Sequence, residues 1–266
     1  MDVANKVMVV TGGGNGIGRE VVLELLRRQA RVAAVDIRPE SLDETAQLAE
    51  AGDRLATFAA DITRREAVEA LPGQVISAHG AVDGVINVAG IIQPFVKLND
   101  LDYEAIQRVI DVNLYGTIHV VKSFLPQLLQ RPVAHVANVS SMGGFLPVPG
   151  QTIYGASKAA VKLLTEGLYA ELLDTKVAVT LIFPGAVGTD ITAHSGVEAP
   201  AGASEEQGRM RTTPADEAAR IILDGMEKDR FHVFVGRDAR TMNLLTRLVP
   251  RQATHLIQRQ MKSLLA

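Results

Sequence analysis

Val7-Met8-Val9-Val10-Thr11-Gly12-Gly13-Gly14-Asn15-Gly16-Ile17-Gly18 decides how the rest of the chain is read, because a continuous apolar run here breaks into a glycine-rich turn. Apolar residues without alternation are what a parallel strand covered on both faces requires. Arg19 and an amphipathic segment, Glu20 to Arg28, follow directly. Glycines at such a junction permit a tight turn, let the backbone approach a pyrophosphate, and bring helix and strand close together. The helix N-terminus then faces the phosphates with unpaired N–H groups and the positive end of its dipole. Glycines alone make a plain turn. Their placement between strand and helix predicts a dinucleotide site containing Gly12, Asn15, Gly16, Ile17 and Gly18.

Beyond this unit, short runs rich in β-branched residues and alanine alternate with segments of helical period. The predicted strands are Val7–Thr11, Val32–Asp36, Leu55–Ala60, Gly84–Val88, Ala134–Val139, Ala178–Phe183 and His232–Val235. Helices start near Gly16, Pro39, Arg64, Tyr103, Ile153 and Pro214. Repeated βαβ units with right-handed crossovers predict an α/β fold. The expected architecture is a doubly wound parallel seven-stranded sheet, a Rossmann fold, with helices on both faces and ligands beyond the carboxyl ends of the strands. Residues 1–266 read as one domain with two departures from the pattern. Residues 190–213 are rich in Gly, Ala, Ser and Glu without a period, which predicts a mobile substrate lid. Residues 239–266 form a C-terminal helical extension, through Met242–Val249 and, after Pro250, a second run to Ala266.

The chain is 47% hydrophobic and 21% charged, the composition of a globular protein with a sizeable core. A net charge of -3 gives no general attraction to phosphate backbones, so nucleic acid is not expected as a partner. With no cysteine, disulfides, thiolate zinc sites, iron–sulfur clusters and cysteine nucleophiles are excluded. The six histidines are scattered, none at close ligand spacing to another, so no metal is expected. A strand begins within a few residues of Met1, and no stretch has the apolar length of a membrane span, which points to the cytoplasm.

Two positions carry cofactor and acid/base chemistry. Asp36 ends the second strand about twenty residues past the glycines, where a carboxylate hydrogen-bonds the adenosine ribose hydroxyls and repels an NADP 2′-phosphate. NAD is therefore favoured over NADP, although Arg38 offers a charge for that phosphate. Tyr154 and Lys158 lie four residues apart on a segment of helical period and share a face. A phenol with an ordinary pKa near 10 is a poor acid or base at neutral pH, and a neighbouring ammonium is expected to favour its phenolate.

Taken together, the Thr11–Gly18 turn, Tyr154 with Lys158, and Ser141 thirteen residues upstream resemble the short-chain dehydrogenase/reductase family, over residues 5 to 190 and again near Phe234. The resemblance implies a catalytic set of Asn113, Ser141, Tyr154 and Lys158. Tyr154 would be the general acid/base and Ser141 the hydroxyl bonded to the substrate oxygen. Lys158 would shift the tyrosine and hold the nicotinamide ribose, and Asn113 would orient a water in a proton relay. Asp61 and Ile62 would flank the adenine, Asp61 reading equally as a strand-end or helix-start carboxylate. Asn87, Ala89 and Gly90 match the family's Asn-Asn-Ala-Gly, Val88 being a departure that removes one amide, with support between sheet and loop expected to survive. Pro184, Gly185, Val187 and Thr189 match the segment beside the nicotinamide, with Thr189 as the contact.

The resemblance implies hydride transfer between NAD(H) and a secondary alcohol or ketone. Phe95, Met142, Phe145 and Leu146, in loops expected to face substrate, lean the pocket toward apolar ligands. The alternatives are an NADPH-dependent carbonyl reductase and a non-enzymatic NAD-sensing protein on the same fold. A homo-oligomer, dimer or tetramer, is expected. In the extension, Ala253, Leu256, Ile257, Met261, Leu264 and Leu265 form an apolar stripe flanked by basic residues. This reads as a helix packed on the body or on a second subunit, or as a membrane-surface helix.

Overall fold

The computed structural model describes residues 1–198 and 212–261. Seven parallel strands form one sheet: β1 (Val7–Thr11), β2 (Arg31–Asp36), β3 (Leu55–Ala59), β4 (Gly84–Asn87), β5 (Ala134–Val139), β6 (Val177–Pro184) and β7 (His232–Val235). Each lies within a residue or so of its expected bounds, Ala60 and Val88 falling outside β3 and β4. Their spatial order is β3-β2-β1-β4-β5-β6-β7. The chain therefore reverses its winding between β1 and β4, and an open crevice forms where the connections leave in opposite directions.

Helices α1 (Gly16–Arg27), α2 (Pro39–Ala49), α3 (Arg65–His79), α4 (Tyr103–Ile110), α5 (Thr117–Leu128) and α6 (Thr152–Leu172) supply the crossovers. Beyond them come α7 (Ile191–Ser195), α8 (Ala215–Glu227), α9 (Arg237–Leu248) and α10 (Pro250–Gln260). Alternation along β1 distributes its side chains between two cores. Met8 and Val10 pack with Val21, Val22 and Leu25 of α1 and Ile222 and Leu223 of α8. Val7 and Val9 join Val68 and Leu71 of α3, Phe124 of α5 and Leu168 of α6. Both faces are covered, which is why β1 reads as unbroken apolar sequence.

One polar chain crosses this interior. Asn87 Nδ2 on β4 donates to Asn138 Oδ1 on β5 at 2.8 Å, and Asn138 Nδ2 donates to Thr165 Oγ1 on α6 at 3.0 Å. At the carboxyl end of β1, Thr11 Oγ1 accepts the backbone N–H groups of Val88 and Ala89 at 3.1 and 3.3 Å. The support between sheet and loop persists although Val88 has no amide of its own.

The segment read as a lid begins with α7, a short helix where no element was expected, and the part at 199–211 lies outside the described residues. Its far end is anchored: Thr213 N–H donates to Ala186 at 2.8 Å and Gly188 N–H to Thr213 at 3.0 Å. The extension starts at Arg237, earlier than expected. Ala253 and Ile257 of the stripe are buried, Met261 is partly covered and Leu256 stays exposed, while Lys262, Leu264 and Leu265 lie outside the described residues.

Replacing Asn138 with Ala strands Asn87 Nδ2 in the core. A native state destabilised by about 1–3 kcal/mol is expected. Urea unfolding should show a lowered midpoint at unchanged slope.

Candidate active site

The Gly12–Gly18 turn and the loop after β4 face each other across the crevice. Gly12 has φ of 71°, and a Cβ there would lie 2.9 Å from the Ala89 nitrogen. A Cβ at Gly18 would collide with the Gly12 carbonyl. Only bare backbone fits on either side. Arg19 braces the turn from outside, its Nε donating to the Gly14 carbonyl at 2.8 Å and its guanidinium pairing with Glu44 of α2 at 2.7 Å.

This turn forms one end of a cleft of about 1050 Å³. Gly12, Asn15, Gly16, Ile17 and Gly18 line it, as do Asp36, Asp61, Ile62, Ala89, Gly90 and Thr189. Asp36 is almost wholly buried, and each carboxylate oxygen already accepts a backbone N–H, from Gly14 at 3.0 Å and Arg38 at 3.1 Å. Asp61 Oδ1 accepts the Thr63 N–H at 2.9 Å and hydroxyl at 2.7 Å, so it closes the turn after β3 while lining the cleft. Thr189 stands opposite the glycine turn; a Cβ at Gly16 would lie 3.3 Å from its methyl.

Six of the expected cofactor residues do not line the cleft. Asn87 is inside the sheet, Pro184 ends β6, Gly185 N–H is held by the Val235 carbonyl at 2.9 Å, and Val187 pairs with Thr213. Tyr154 and Lys158 lie outside the cleft's walls too, farther along the carboxyl edge.

Tyr154 and Lys158 share one face of α6. Ser141, in extended backbone after β5, accepts the Gly143 N–H at 3.0 Å, and its hydroxyl and the Tyr154 ring both lie against Gly143. Lys158 is buried, and its Nζ donates to the Val139 carbonyl at 3.0 Å. Ser140 Oγ ties the Lys158 carbonyl at 2.7 Å. Burial pushes the Tyr154 phenol up from its ordinary value, opposed only by the Ser141 hydrogen bond. Burial pushes Lys158 down to about 8. Desolvation dominates both groups, and the ammonium is turned to a backbone carbonyl.

Asn113 is fully buried in a wider π-type turn, Asp111–Gly116, between α4 and α5. Its Oδ1 accepts the Ile91 N–H at 2.9 Å, and its Nδ2 donates to the Ile91 carbonyl at 3.0 Å and to Ser157 Oγ at 2.9 Å. Ser157 Oγ in turn donates to the Tyr154 carbonyl at 2.7 Å. The side chain is a bracket between the β4 loop and α6 rather than a free amide presented to a water. Gly90 sits beside it, where a Cβ would lie 3.0 Å from Lys158 Nζ.

The family model described as short chain dehydrogenase matches residues 6–199. The chain belongs to that family. An oxidoreductase of Mycobacterium tuberculosis designated SadH is 34% identical over 251 residues, covering 92% of this chain and 91% of the relative. A short-chain dehydrogenase/reductase from Burkholderia phymatum, crystallised with NAD, superposes with a TM-score of 0.84 at 26% identity, over 93% of this chain and 96% of that one. A short-chain dehydrogenase from Burkholderia cenocepacia, crystallised with NADP, gives a TM-score of 0.81 at 25% identity, over 97% and 99% of the two chains.

As a short-chain dehydrogenase, the chain also uses residues that its sequence did not single out. His194 of α7 lines the cleft, its pKa lowered by burial and by the Arg38 charge. Gln107 and Asp111, hydrogen-bonded at 2.7 Å, help form the outer wall. Gln93, Ser140 and Ser157 hold the backbone of α6. None belongs to a local motif. Phe145 and Leu146, expected to face substrate, line a smaller cavity of about 320 Å³ between the Met142–Gly144 turn and the start of α6. Phe145 meets Phe183 and Phe234 edge-on at 5.5 and 6.5 Å, and Leu146 is fully buried. Phe95 and Met142 remain partly exposed.

Between about pH 8 and 10.5 the unfolded chain binds more protons at Lys158 than the native state does, so this residue makes stability rise with pH across that window. Urea unfolding at several pH values should show the rise flattened in Lys158→Met relative to wild type.

Proposed function

We propose that this oxidoreductase transfers hydride between NAD(H) and a secondary alcohol or ketone of apolar character, with Tyr154 as the acid/base. The observation that carries the reading is the placement of the Tyr154 ring and the Ser141 hydroxyl together against Gly143, one helical turn from buried Lys158, on the sheet that also bears the cleft. When bound, the nicotinamide supplies the hydride acceptor or donor.

The chain's own residues do the rest. The backbone of the Gly12–Gly18 turn and the N-terminus of α1 receive the pyrophosphate, because no Cβ intervenes there. Asp36 retains lone pairs for ribose hydroxyls beyond its two backbone contacts, and its charge disfavours a 2′-phosphate. Ser141 Oγ and the Tyr154 hydroxyl converge on the substrate oxygen. The phenol gives its proton when a ketone is reduced and takes one when an alcohol is oxidised. Lys158 Nζ is near enough to the β4 loop at Gly90 to turn toward a ribose placed there. Asn113 holds that loop and, through Ser157, the carbonyl of Tyr154. Its role is rigidity at the acid/base rather than the orientation of water by its amide. Partly exposed Phe95 and Met142 support an apolar substrate. Exposed Tyr115 beside α5 and Leu163 on α6 support a homo-oligomer.

One observation favours NADP instead: Arg38 Nε, in the wall beside Asp36, is buried without a partner. Initial rates with NAD and with NADP, over 2-butanol, cyclohexanol and 1-phenylethanol, separate the readings. Faster turnover with NAD is expected, and a preference for NADP overturns the cofactor assignment. Tyr154→Phe should lower kcat by roughly two to four orders of magnitude with an unchanged circular dichroism spectrum. Wild-type turnover in that variant defeats the mechanism. Asp36→Ala removes hydrogen bonds to a charged acceptor, so KM for NAD should rise about tenfold while the gap to NADP narrows. Steady-state titration of both cofactors is the check.

A further inference from the structure

The loop after β4 is held residue by residue. Asn113 clamps both backbone groups of Ile91, and the Ile92 N–H donates to Ser195 Oγ of α7 at 3.0 Å. Gln93 follows, fully buried, with every polar atom of its side chain engaged. Its Oε1 accepts the backbone N–H of Ile153 at 2.7 Å and of Tyr154 at 3.0 Å. Its Nε2 donates to the Gly150 carbonyl at 3.0 Å, and Gln151 Nε2 donates back to the Gln93 carbonyl at 2.8 Å.

The first turn of a helix carries N–H groups with no partner inside the helix, and the residue just before the helix usually satisfies them. Gln151 occupies that place in α6, yet its side chain caps nothing there. The cap comes from the β4 loop, and one of the two N–H groups it binds is that of Tyr154 itself. An ordinary cap would serve equally well from the adjacent residue. Drawn from this loop, it ties the backbone of the phenol-bearing residue to the segment that Asn113 and Ser195 already immobilise.

Building on the assignment of Tyr154 as acid/base, we infer that Gln93 is a positioning residue for hydride transfer. By capping the first turn of α6 through the Tyr154 N–H, it fixes the phenol against Ser141. Gln93 touches no reacting atom. Its acceptor oxygen is the part that matters, so a side chain of similar length keeping an oxygen preserves function, whereas an apolar one of that length does not. Small displacements of a reacting group lower the chemical step more than they lower binding of a cofactor seated elsewhere in the cleft.

The test compares wild type with Gln93→Met, Gln93→Glu and Tyr154→Phe, using NAD and whichever of the three alcohols is turned over fastest. NADH fluorescence titration reports on fold and cofactor site together. In Gln93→Met, kcat should fall about 10- to 100-fold while the NADH dissociation constant stays within about twofold. Gln93→Glu, which keeps the acceptor and, protonated by burial, offers the Gly150 carbonyl a donor in place of Nε2, should recover kcat to within about threefold of wild type. Wild-type kcat in Gln93→Met overturns the inference, as does an equal loss in Met and Glu variants or a matching loss of NADH affinity. If the Met variant does not fold, the Glu variant decides: recovery supports the role, and a loss beyond about tenfold overturns it. Tyr154→Phe separates the two claims. If it is inactive while Gln93→Met is fully active, only the role of Gln93 fails; if it retains wild-type turnover, the acid/base assignment fails and the role of Gln93 falls with it.

Discussion

The amide chain from Asn87 through Asn138 to Thr165 sets the geometry on which the catalytic edge depends. It crosses a largely apolar interior, where an unpaired amide is costly, so its two hydrogen bonds favour one relative placement of β4, β5 and α6. Each of the three leads to part of the site. β4 runs into the loop that faces the glycine turn, β5 runs into Ser140 and Ser141, and α6 carries Tyr154 and Lys158. The same three elements are cross-tied a second time above the sheet, by Ser140 Oγ on the Lys158 carbonyl and by Asn113 joining Ile91 to Ser157. Two layers of hydrogen bonds, one in the core and one at the carboxyl edge, leave the pair on α6 little freedom to drift from Ser141.

Burial acts on that pair in opposite senses. It raises the proton affinity of Tyr154 and lowers that of Lys158 to about 8, so Lys158 releases its proton before Tyr154 does. What lowers the cost of the phenolate in this geometry is direct hydrogen bonding to its oxygen, supplied by Ser141. Several neighbouring side chains, Ser140, Ser157 and Gln93, are spent on holding the backbone of α6 that carries the pair.

What the sequence reveals is local. The Gly12–Gly18 turn, the seven strands and the pairing of Tyr154 with Lys158 depend on neighbours in the chain, on pattern, or on steric demands that only glycine meets. What it does not reveal depends on distant partners. Phe145 lines a cavity with Leu146, and its edge contacts with Phe183 and Phe234 of β6 and β7 bring together residues far apart in the chain. Gln93 follows no motif, because its partners on α6 lie about sixty residues later. The amide contacts of Asn113 likewise reach residues far along the chain, Ile91 and Ser157, and arise from the packing of the β4 loop against α6. Periodicity reports which face of an element is buried; it carries nothing about which buried polar atom will meet which.

The C-terminal extension shows how a departure from the family pattern can still bear on the site. Asp238, in the first turn of α9, accepts the Ala186 N–H through Oδ2 at 2.9 Å, and its carboxylate packs so closely on Gly185 and Gly236 that a Cβ at either would collide with it. The segment leading to Thr189 is therefore bounded by the extension on one side and by Thr213 on the other. A carboxylate at a helix start is favoured by the helix dipole, and here the same group takes up a backbone donor in the strand-to-cleft connection. α9 also packs against the turn at Met142–Gly144, next to Ser141. The extension thus contacts both the turn next to Ser141 and the segment that leads to Thr189.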